Sequence, residues 1–165
     1  DSVSHVKLMN KIYTYGFGDN MKGWLMDFLK SRSQRVNING SISDKVSVTS
    51  GVPQGSVLGP TLFLLFISDL PSTFANSDTI CKLFADDVKL YNKSPSQLQF
   101  SLDSIAKWSD EWQLQLVRDK CQILSLIGCR RSFNPCDYFI NSHMLERVDI
   151  IRDLGVIIDS SLHFD

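Results

Sequence analysis

Two adjacent aspartates, Asp86 and Asp87, interrupt a mostly apolar stretch running from Ile80 to Ala85 on one side and from Val88 to Tyr91 on the other. Strand-forming residues on both sides of a polar, turn-forming pair predict two short strands joined by a tight acidic turn. Two carboxylates side by side repel each other, so such an apex must stand in water or face cations. Hard divalent cations such as Mg²⁺ take carboxylate oxygens and keep coordination positions for water and phosphate, which makes a paired-Asp apex suited to phosphoryl transfer. A merely solvated turn would use the same residues, so the pair acquires meaning only from what accompanies it.

The other periodicities place this turn in a mixed fold. Apolar residues at Val6, Leu8, Met9, Ile12 and Tyr13, followed by Gly16, predict a helix over residues 3–15. A second helix is expected from Asp19 as N-cap, turning Trp24, Leu25, Phe28 and Leu29 inward and fading at Lys30-Ser31-Arg32. Arg35 to Ile38 and Ser41 to Val48 alternate around Asn39-Gly40, a strong hairpin signal. The apolar run behind Pro60 reads as a buried helix ending near Pro71. Ser94-Pro95, in N-cap and N1 positions, opens a helix with Leu98, Leu102, Ile105, Trp108 or Ser109, and Trp112 on one face, which makes the two tryptophans core residues. Beyond it, Cys121 to Ile127, Tyr138 to Ile140, Met144 to Val148 and Leu154 to Ile158 read as strands, with a turn at Asn141-Ser142. Helices and antiparallel hairpins in this order predict one α+β domain.

Composition narrows the functions available. The 17 Lys and Arg against 18 Asp and Glu give a net charge of −1, which argues against holding nucleic acid by bulk positive charge and leaves only a local basic groove. Lys30, Arg32 and Arg35, and separately Arg130-Arg131, are candidates for that groove and read equally well as solvated surface. Cys81, Cys121, Cys129 and Cys136 form no C-x2-C pair, so they are read as reduced thiols rather than zinc ligands or a disulfide framework. His5, His143 and His163 have no ligand spacing and are assigned to neither metal nor base duty. The longest apolar run, Leu62 to Ile67, has six residues against the roughly 20 that span a bilayer, so no membrane partner is expected. The chain opens inside a periodic pattern without an initiator Met, which predicts a piece of a longer polypeptide.

A second motif gives the acidic turn its company. Ser50-Gly51-Val52-Pro53-Gln54-Gly55-Ser56-Val57-Leu58-Gly59-Pro60 combines three glycines, two prolines and one amide side chain ahead of a helix. A loop of this kind exposes backbone N–H groups suited to a triphosphate or a nucleic-acid backbone, and Gln54 adds an uncharged hydrogen-bonding group for a sugar or base. An ordinary helix-entry loop would have the same composition.

The succession SGVPQGSVLGPTLFLLFISDLP, then KLFADDVKLY, then WSDEWQLQLVRDKCQIL, then LGVIIDSSLHF resembles the reverse transcriptase of non-LTR retrotransposons, of the jockey-like kind. The four matches stand in the family's order and cover nearly the whole chain. The resemblance implies a fragment of a right-hand polymerase: a palm-type antiparallel sheet with packed helices, carrying motifs B, C and D and the primer-grip region over residues 1–165 as a single partial domain.

The same resemblance implies roles for particular residues. Phe84-Ala85-Asp86-Asp87 matches motif C, making Asp86 a principal ligand of two catalytic Mg²⁺ ions and Asp87 a supporting one. Gln54, with Gly51, Pro53 and Gly55, matches the P-Q-G loop of motif B, which lies against the incoming dNTP and the templating pair. Lys120 matches the motif D lysine, which approaches the pyrophosphate leaving group. Leu154-Gly155-Val156 falls in the primer-grip hairpin and has a positioning role. Asp1-Ser2-Val3 matches the end of a motif A of the form D-x-x-x-A-F-D-x-V, so Asp1 is read as an N-cap or structural carboxylate. The metal-binding Asp of that motif, the aromatic residue that excludes a ribose 2′-hydroxyl, the fingers and the thumb are not in this sequence. The family's usual Asn after the Trp112 to Leu116 segment is Val117 here. The implied parent is an RNA-directed DNA polymerase taking an RNA template, a DNA primer and dNTPs and working at nuclear DNA, with the fragment alone expected to be inactive. The competing expectation is a non-catalytic remnant that binds RNA or a protein.

Overall fold

The computed structural model describes residues 2–126 and 136–162, in which helices alternate with short strand pairs in an α+β order. By their contacts the residues fall into two compact units: Asp1–Thr73 with Cys81–Lys89 and Trp108–Gln115, and Phe74–Ile80 with Leu90–Lys107 and Leu116–Asp165.

In the first unit, helix α1 (His5–Thr14) is capped by Ser4, whose side chain accepts from the Lys7 N–H, and it closes at Gly16 in the left-handed region. The N-cap role expected of Asp1 thus belongs to Ser4, and Asp1 itself lies outside the described residues. Helix α2 (Asp19–Leu29) takes Gly18 as N-cap, with Asp19 inside the first turn, where its negative charge favours the helix dipole. It buries Leu25 and Leu29, one turn apart. Trp24 does not turn inward as expected: it is 53% exposed and stacks on Phe28, because so narrow a stripe leaves its neighbours to find cover on their own helix.

Strands β1 (Ser33–Gln34) and β4 (Val46–Ser47) pair antiparallel, as do β2 (Asn37–Ile38) and β3 (Ser41–Ile42). Asn39 and Gly40 both have positive φ, as the turn chemistry demands. These ladders are shorter than the alternation suggested, and every strand residue in them is exposed. A strand with neither face covered gains nothing from extending its ladder.

Helix α3 (Leu58–Ile67) admits Pro60 in its first turn, where no N–H is needed, and buries Leu62, Phe66 and Ile67. It stops before Pro71, and a short 3₁₀ turn, Leu70–Phe74, takes over. Helix α1 packs against both α2 and α3. Leu8, Ile12, Leu29 and Phe66 are completely buried there, each contributing about 2 kcal/mol of transfer free energy.

Helix α4 (Pro95–Trp112) gives its residues up to Lys107 to the second unit and the rest to the first. In the second unit Leu102 and Ala106 form a core with Tyr138, Ile140 and Leu145, bordered by Leu90, Leu98, Leu116, Cys121 and Ile123. Strand β7 (Gln122–Leu124) runs parallel to β10 (Glu146–Val148), not antiparallel as expected. The intervening chain, which includes the hairpin β8 (Phe139–Ile140) and β9 (His143–Met144), is long enough for the crossover that parallel strands need.

Strands β11 (Ile150–Asp153) and β12 (Val156–Asp159) form an antiparallel hairpin around Leu154 and Gly155, both at positive φ. The strand expected from Leu154 therefore begins at Val156, and Ile150–Asp153 is a strand that the charges of Arg152 and Asp153 concealed. Among the described residues every sheet is two-stranded. No helix there is long and apolar enough to cross a membrane.

Candidate functional site

The acidic apex forms as a hairpin of β5 (Ile80–Phe84) and β6 (Asp87–Tyr91). Its turn residues are Ala85 and Asp86, one position earlier than the Asp86-Asp87 turn expected, so Asp87 opens β6. The cause is backbone handedness: Ala85 holds φ 50°, giving the loop the positive φ that a two-residue hairpin turn requires. A side chain in that region costs about 1–2 kcal/mol, and Ala carries the smallest one. Phe84 through Val88 are all exposed, while Cys81 and Leu83 alternate as the half-covered face of β5. The two carboxylates stand in solvent, where their mutual repulsion is screened.

The P-Q-G segment is also a turn. The Ser56 N–H donates to the Pro53 carbonyl at 3.3 Å, with Gln54 and Gly55 between them and Gly55 at φ 73°, the pattern of a type II turn with its obligatory glycine. Gln54 is exposed at the apex. Ser56 Oγ donates to the Pro53 carbonyl at 2.6 Å and accepts from the Gly59 N–H at 3.0 Å. The turn folds so tightly onto α3 that a Cβ on Gly59 would lie 2.8 Å from the Pro53 oxygen.

At the other end, buried Gly51, at φ 85°, donates its N–H to the Val3 carbonyl at 2.7 Å. Its own carbonyl accepts from His5 Nε2 at 2.7 Å. A carbonyl acceptor requires that Nε2 carry the hydrogen, as it does in one neutral tautomer and in the imidazolium. An isolated bridge between Ser4 and Ser50 completes the attachment.

The residue least expected inside this unit is Lys11. It is 3% exposed, with its ammonium bonded to the Phe66 carbonyl and the Asp69 carboxylate. Trp108 Nε1 donates to the same carboxylate oxygen at 3.1 Å. The ammonium lies 3.9 Å from the Trp112 ring centre, 4.6 Å from Trp108 and 4.9 Å from Phe66. Burial pushes the Lys11 pKa down, and the Asp69 hydrogen bond and charge partly restore it. The signal in the sequence was periodic: Lys11 follows Leu8 by three positions on the buried stripe, where a cation demands an acid.

The structure brings Asp86, Asp87, Phe84, Ala85, Gly51, Pro53, Gln54 and Gly55 into one compact unit, and Lys120 and Leu154-Gly155-Val156 into the other. Lys120 is exposed at the end of a 3₁₀ turn, Arg118–Lys120, whose Lys120 N–H donates to the Val117 carbonyl at 3.0 Å, so valine in that place leaves the turn intact. Arg130, Arg131, Cys129 and His163 lie outside the described residues. Among the described residues no group of three or more His, Cys, Asp or Glu is placed to hold a metal ion, so the hairpin offers a pair of carboxylates and not a closed cage.

Residues 1–158 match the family described as reverse transcriptase (RNA-dependent DNA polymerase). The chain belongs to this family. It is 30% identical to the RNA-directed DNA polymerase from mobile element jockey of Drosophila melanogaster over 83% of its own length and 16% of that protein. It is likewise 30% identical to the probable RNA-directed DNA polymerase from transposon BS of the same organism, over 99% of the chain and 19% of the relative. A more distant match, 24% identical over 76% of the chain and 22% of the relative, is the retrovirus-related Pol polyprotein from type-1 retrotransposable element R2 of Popillia japonica. The chain thus spans less than a quarter of the length of each of these relatives.

Proposed function

We propose that this chain carries the nucleotide-facing part of the palm of a non-LTR retrotransposon RNA-directed DNA polymerase, which copies an RNA template onto a DNA primer with dNTPs. The observation that carries this reading is the exposed Asp86-Asp87 pair on a hairpin, in the same unit as the Pro53-Gln54-Gly55 turn. Two adjacent, solvated carboxylates are hard oxygen donors with room around them, which fits Mg²⁺ held jointly with water and phosphate. When bound, Mg²⁺ neutralises charge on the reacting phosphates and lowers the pKa of the attacking hydroxyl. Asp86 serves as the principal ligand and Asp87 as the supporting one, and a further carboxylate segment completes the two-metal set.

The chain's own residues do the rest. Gln54, at the apex of its turn, hydrogen-bonds the incoming nucleotide or the templating pair, with Gly51, Pro53 and Gly55 shaping the backbone. Phe84 and Ala85 set the direction of the carboxylates. By the family's motif D, Lys120 is assigned to the leaving pyrophosphate, and by the primer-grip motif Leu154-Gly155-Val156 is assigned to the primer strand. Synthesis onto nicked target DNA places this work at nuclear DNA.

The test is primer extension on an RNA template by the polymerase polypeptide that carries this segment, with Mg²⁺ present or chelated. Asp86→Asn is expected to lower extension about a thousandfold or more, on the scale of losing a principal transition-state stabiliser. Extension that survives Asp86→Asn or chelation overturns the reading. Template binding without any extension by the parent favours the RNA-binding remnant instead.

A further inference from the structure

The P-Q-G turn is held from two sides, and one side depends on a histidine that the polymerase reading leaves without a role. On the α3 side, Ser56 Oγ ties the Pro53 carbonyl to the Gly59 N–H. On the α1 side, Val3 and His5 take both backbone polar groups of Gly51. Between Gly51 and the Pro53 carbonyl stands Val52 alone. The anchors differ in kind: Val3 contributes backbone and Ser56 acts within its own turn, whereas His5 reaches across 46 positions of sequence with a side chain. We propose that His5 is a positioning residue for the polymerase reaction, fixing through Gly51 where the Gln54 turn meets the incoming nucleotide. The inference rests on the function proposed above.

Gly51 is buried and at φ 85°, a conformation that glycine adopts freely and that therefore needs external bonds to keep it. Its carbonyl, deprived of the imidazole, would be a buried acceptor without its partner, and the cheapest relief is for the peptide to rotate toward water. Rotation at Gly51 carries Val52 with it and pulls on the Pro53 end of the turn, whose carbonyl Ser56 holds. Helix α1 is itself fixed, at its other end, by the Lys11 contacts to Phe66 and Asp69 on and beyond α3. His5 therefore transmits the position of a packed helix to a turn that has no core of its own.

Two measurements test this. In the 165-residue chain, amide hydrogen exchange at Gly51 and Ser56, whose N–H groups bond the Val3 and Pro53 carbonyls, is expected to rise about five- to tenfold in His5→Ala, the scale of one lost hydrogen bond, with core amides of α1 unchanged. In the polymerase polypeptide that carries the segment, His5→Ala is expected to raise KM for dNTP by a similar factor while kcat changes less than about twofold, and His5→Gln, whose amide N–H reaches the same carbonyl, is expected to restore most of the loss. A structural defect alone would lower active enzyme and kcat without that split. Unchanged exchange at Gly51 and Ser56, or an unchanged KM, overturns the proposal. If His5→Ala does not fold, His5→Phe, which keeps the ring and removes the donor, replaces it: raised exchange and KM there support the proposal, and parental values overturn it. Asp86→Asn retaining activity would instead sink the function reading, and the exchange data would still decide whether His5 holds the loop.

Discussion

Asp86 and Lys11 belong to the same compact unit and meet opposite fates. The aspartate stands on a hairpin whose apex is exposed from Phe84 to Val88, next to a second carboxylate and behind an alanine at φ 50°. The lysine lies under Phe66, Trp108 and Trp112, bonded to a carbonyl and a carboxylate. A charge whose bonds are all spent inside the protein is an element of architecture. One left in water beside a like charge is available to a cation and a substrate. The contrast separates a charge spent on packing from one left in solvent: Lys11 joins α1 to the end of α3, and the P-Q-G turn is strung between those two helices.

The comparison breaks if the two charges can be exchanged in their effects. Asp86→Asn carries the largest expected effect on extension and is expected to leave thermal stability unchanged or slightly raised, since it removes a repulsion between solvated groups. Lys11→Ala is expected to do the reverse. It removes a buried stem and the donor to the Phe66 carbonyl, at a cost of about 3 kcal/mol, seen as a fall in Tm of roughly 6–12 °C. Lys11→Met keeps the stem under the aromatic rings, and half-exposed Asp69 retains water and Trp108, but the Phe66 carbonyl loses its donor, so it is expected to recover about half of the loss seen in Lys11→Ala. A Met variant as damaged as the Ala variant would mean that the ammonium, and not its packing, ties the helices together.

Two turns sharpen the same point on a smaller scale. Gly155 and Ala85 both hold positive φ in two-residue hairpin turns, at 91° and 50°. Gly155→Ala introduces a Cβ into a left-handed position and is expected to cost about 1 kcal/mol in urea denaturation. Ala85→Gly relieves the same strain while loosening the unfolded chain, so its net effect is expected within about 0.5 kcal/mol of zero. A loss of extension in Ala85→Gly without loss of stability would show that the strained alanine aims the carboxylates.

What was legible in the sequence follows these physical lines. The helices α1, α2 and α4 could be read because Leu8 and Ile12, Leu25 and Leu29, and Leu102 and Ala106 bury at helical spacing. The acidic apex and the P-Q-G loop could be read because Asp-Asp and a Gly- and Pro-rich run punctuate apolar segments on either side. The exact turn at Ala85-Asp86 could not, since alanine does not advertise a positive φ as the Asn39-Gly40 pair does. Nor could the parallel pairing of β7 and β10, which depends on a long crossover rather than on any local pattern. Trp24 misled because an apolar side chain at helical spacing can stack along its own helix instead of facing a core. The partners of His5 and Lys11 could not be read, because each lies more than 40 positions away; the place of Lys11 on the α1 stripe was the one local sign.

The smallest effect separates the buried lysine from two half-buried thiols by the sign of their response to alkali. Burial pushes the Cys81 and Cys121 thiols up from their ordinary value of 9.0, and burial likewise raises the Tyr138 hydroxyl. Acids with raised pKa in the folded state hold their contribution in full below the unfolded value and lose it as pH climbs through the folded one. Lys11 runs the other way. Its folded pKa lies below 10.5, so between the two values the unfolded chain binds the extra proton, and the contribution of Lys11 grows as pH rises. The parent is therefore expected to lose stability above about pH 9 less steeply than its half-buried thiols alone dictate. Removing one side of this balance should show it: Cys121→Ala is expected to flatten the decline and Lys11→Met to steepen it, each by about 1 kcal/mol or less between pH 8 and 10 in urea denaturation. Parallel curves for Lys11→Met and the parent would mean that the ammonium under Trp112 titrates as it does in water, and the contrast with Asp86 would then rest on packing alone.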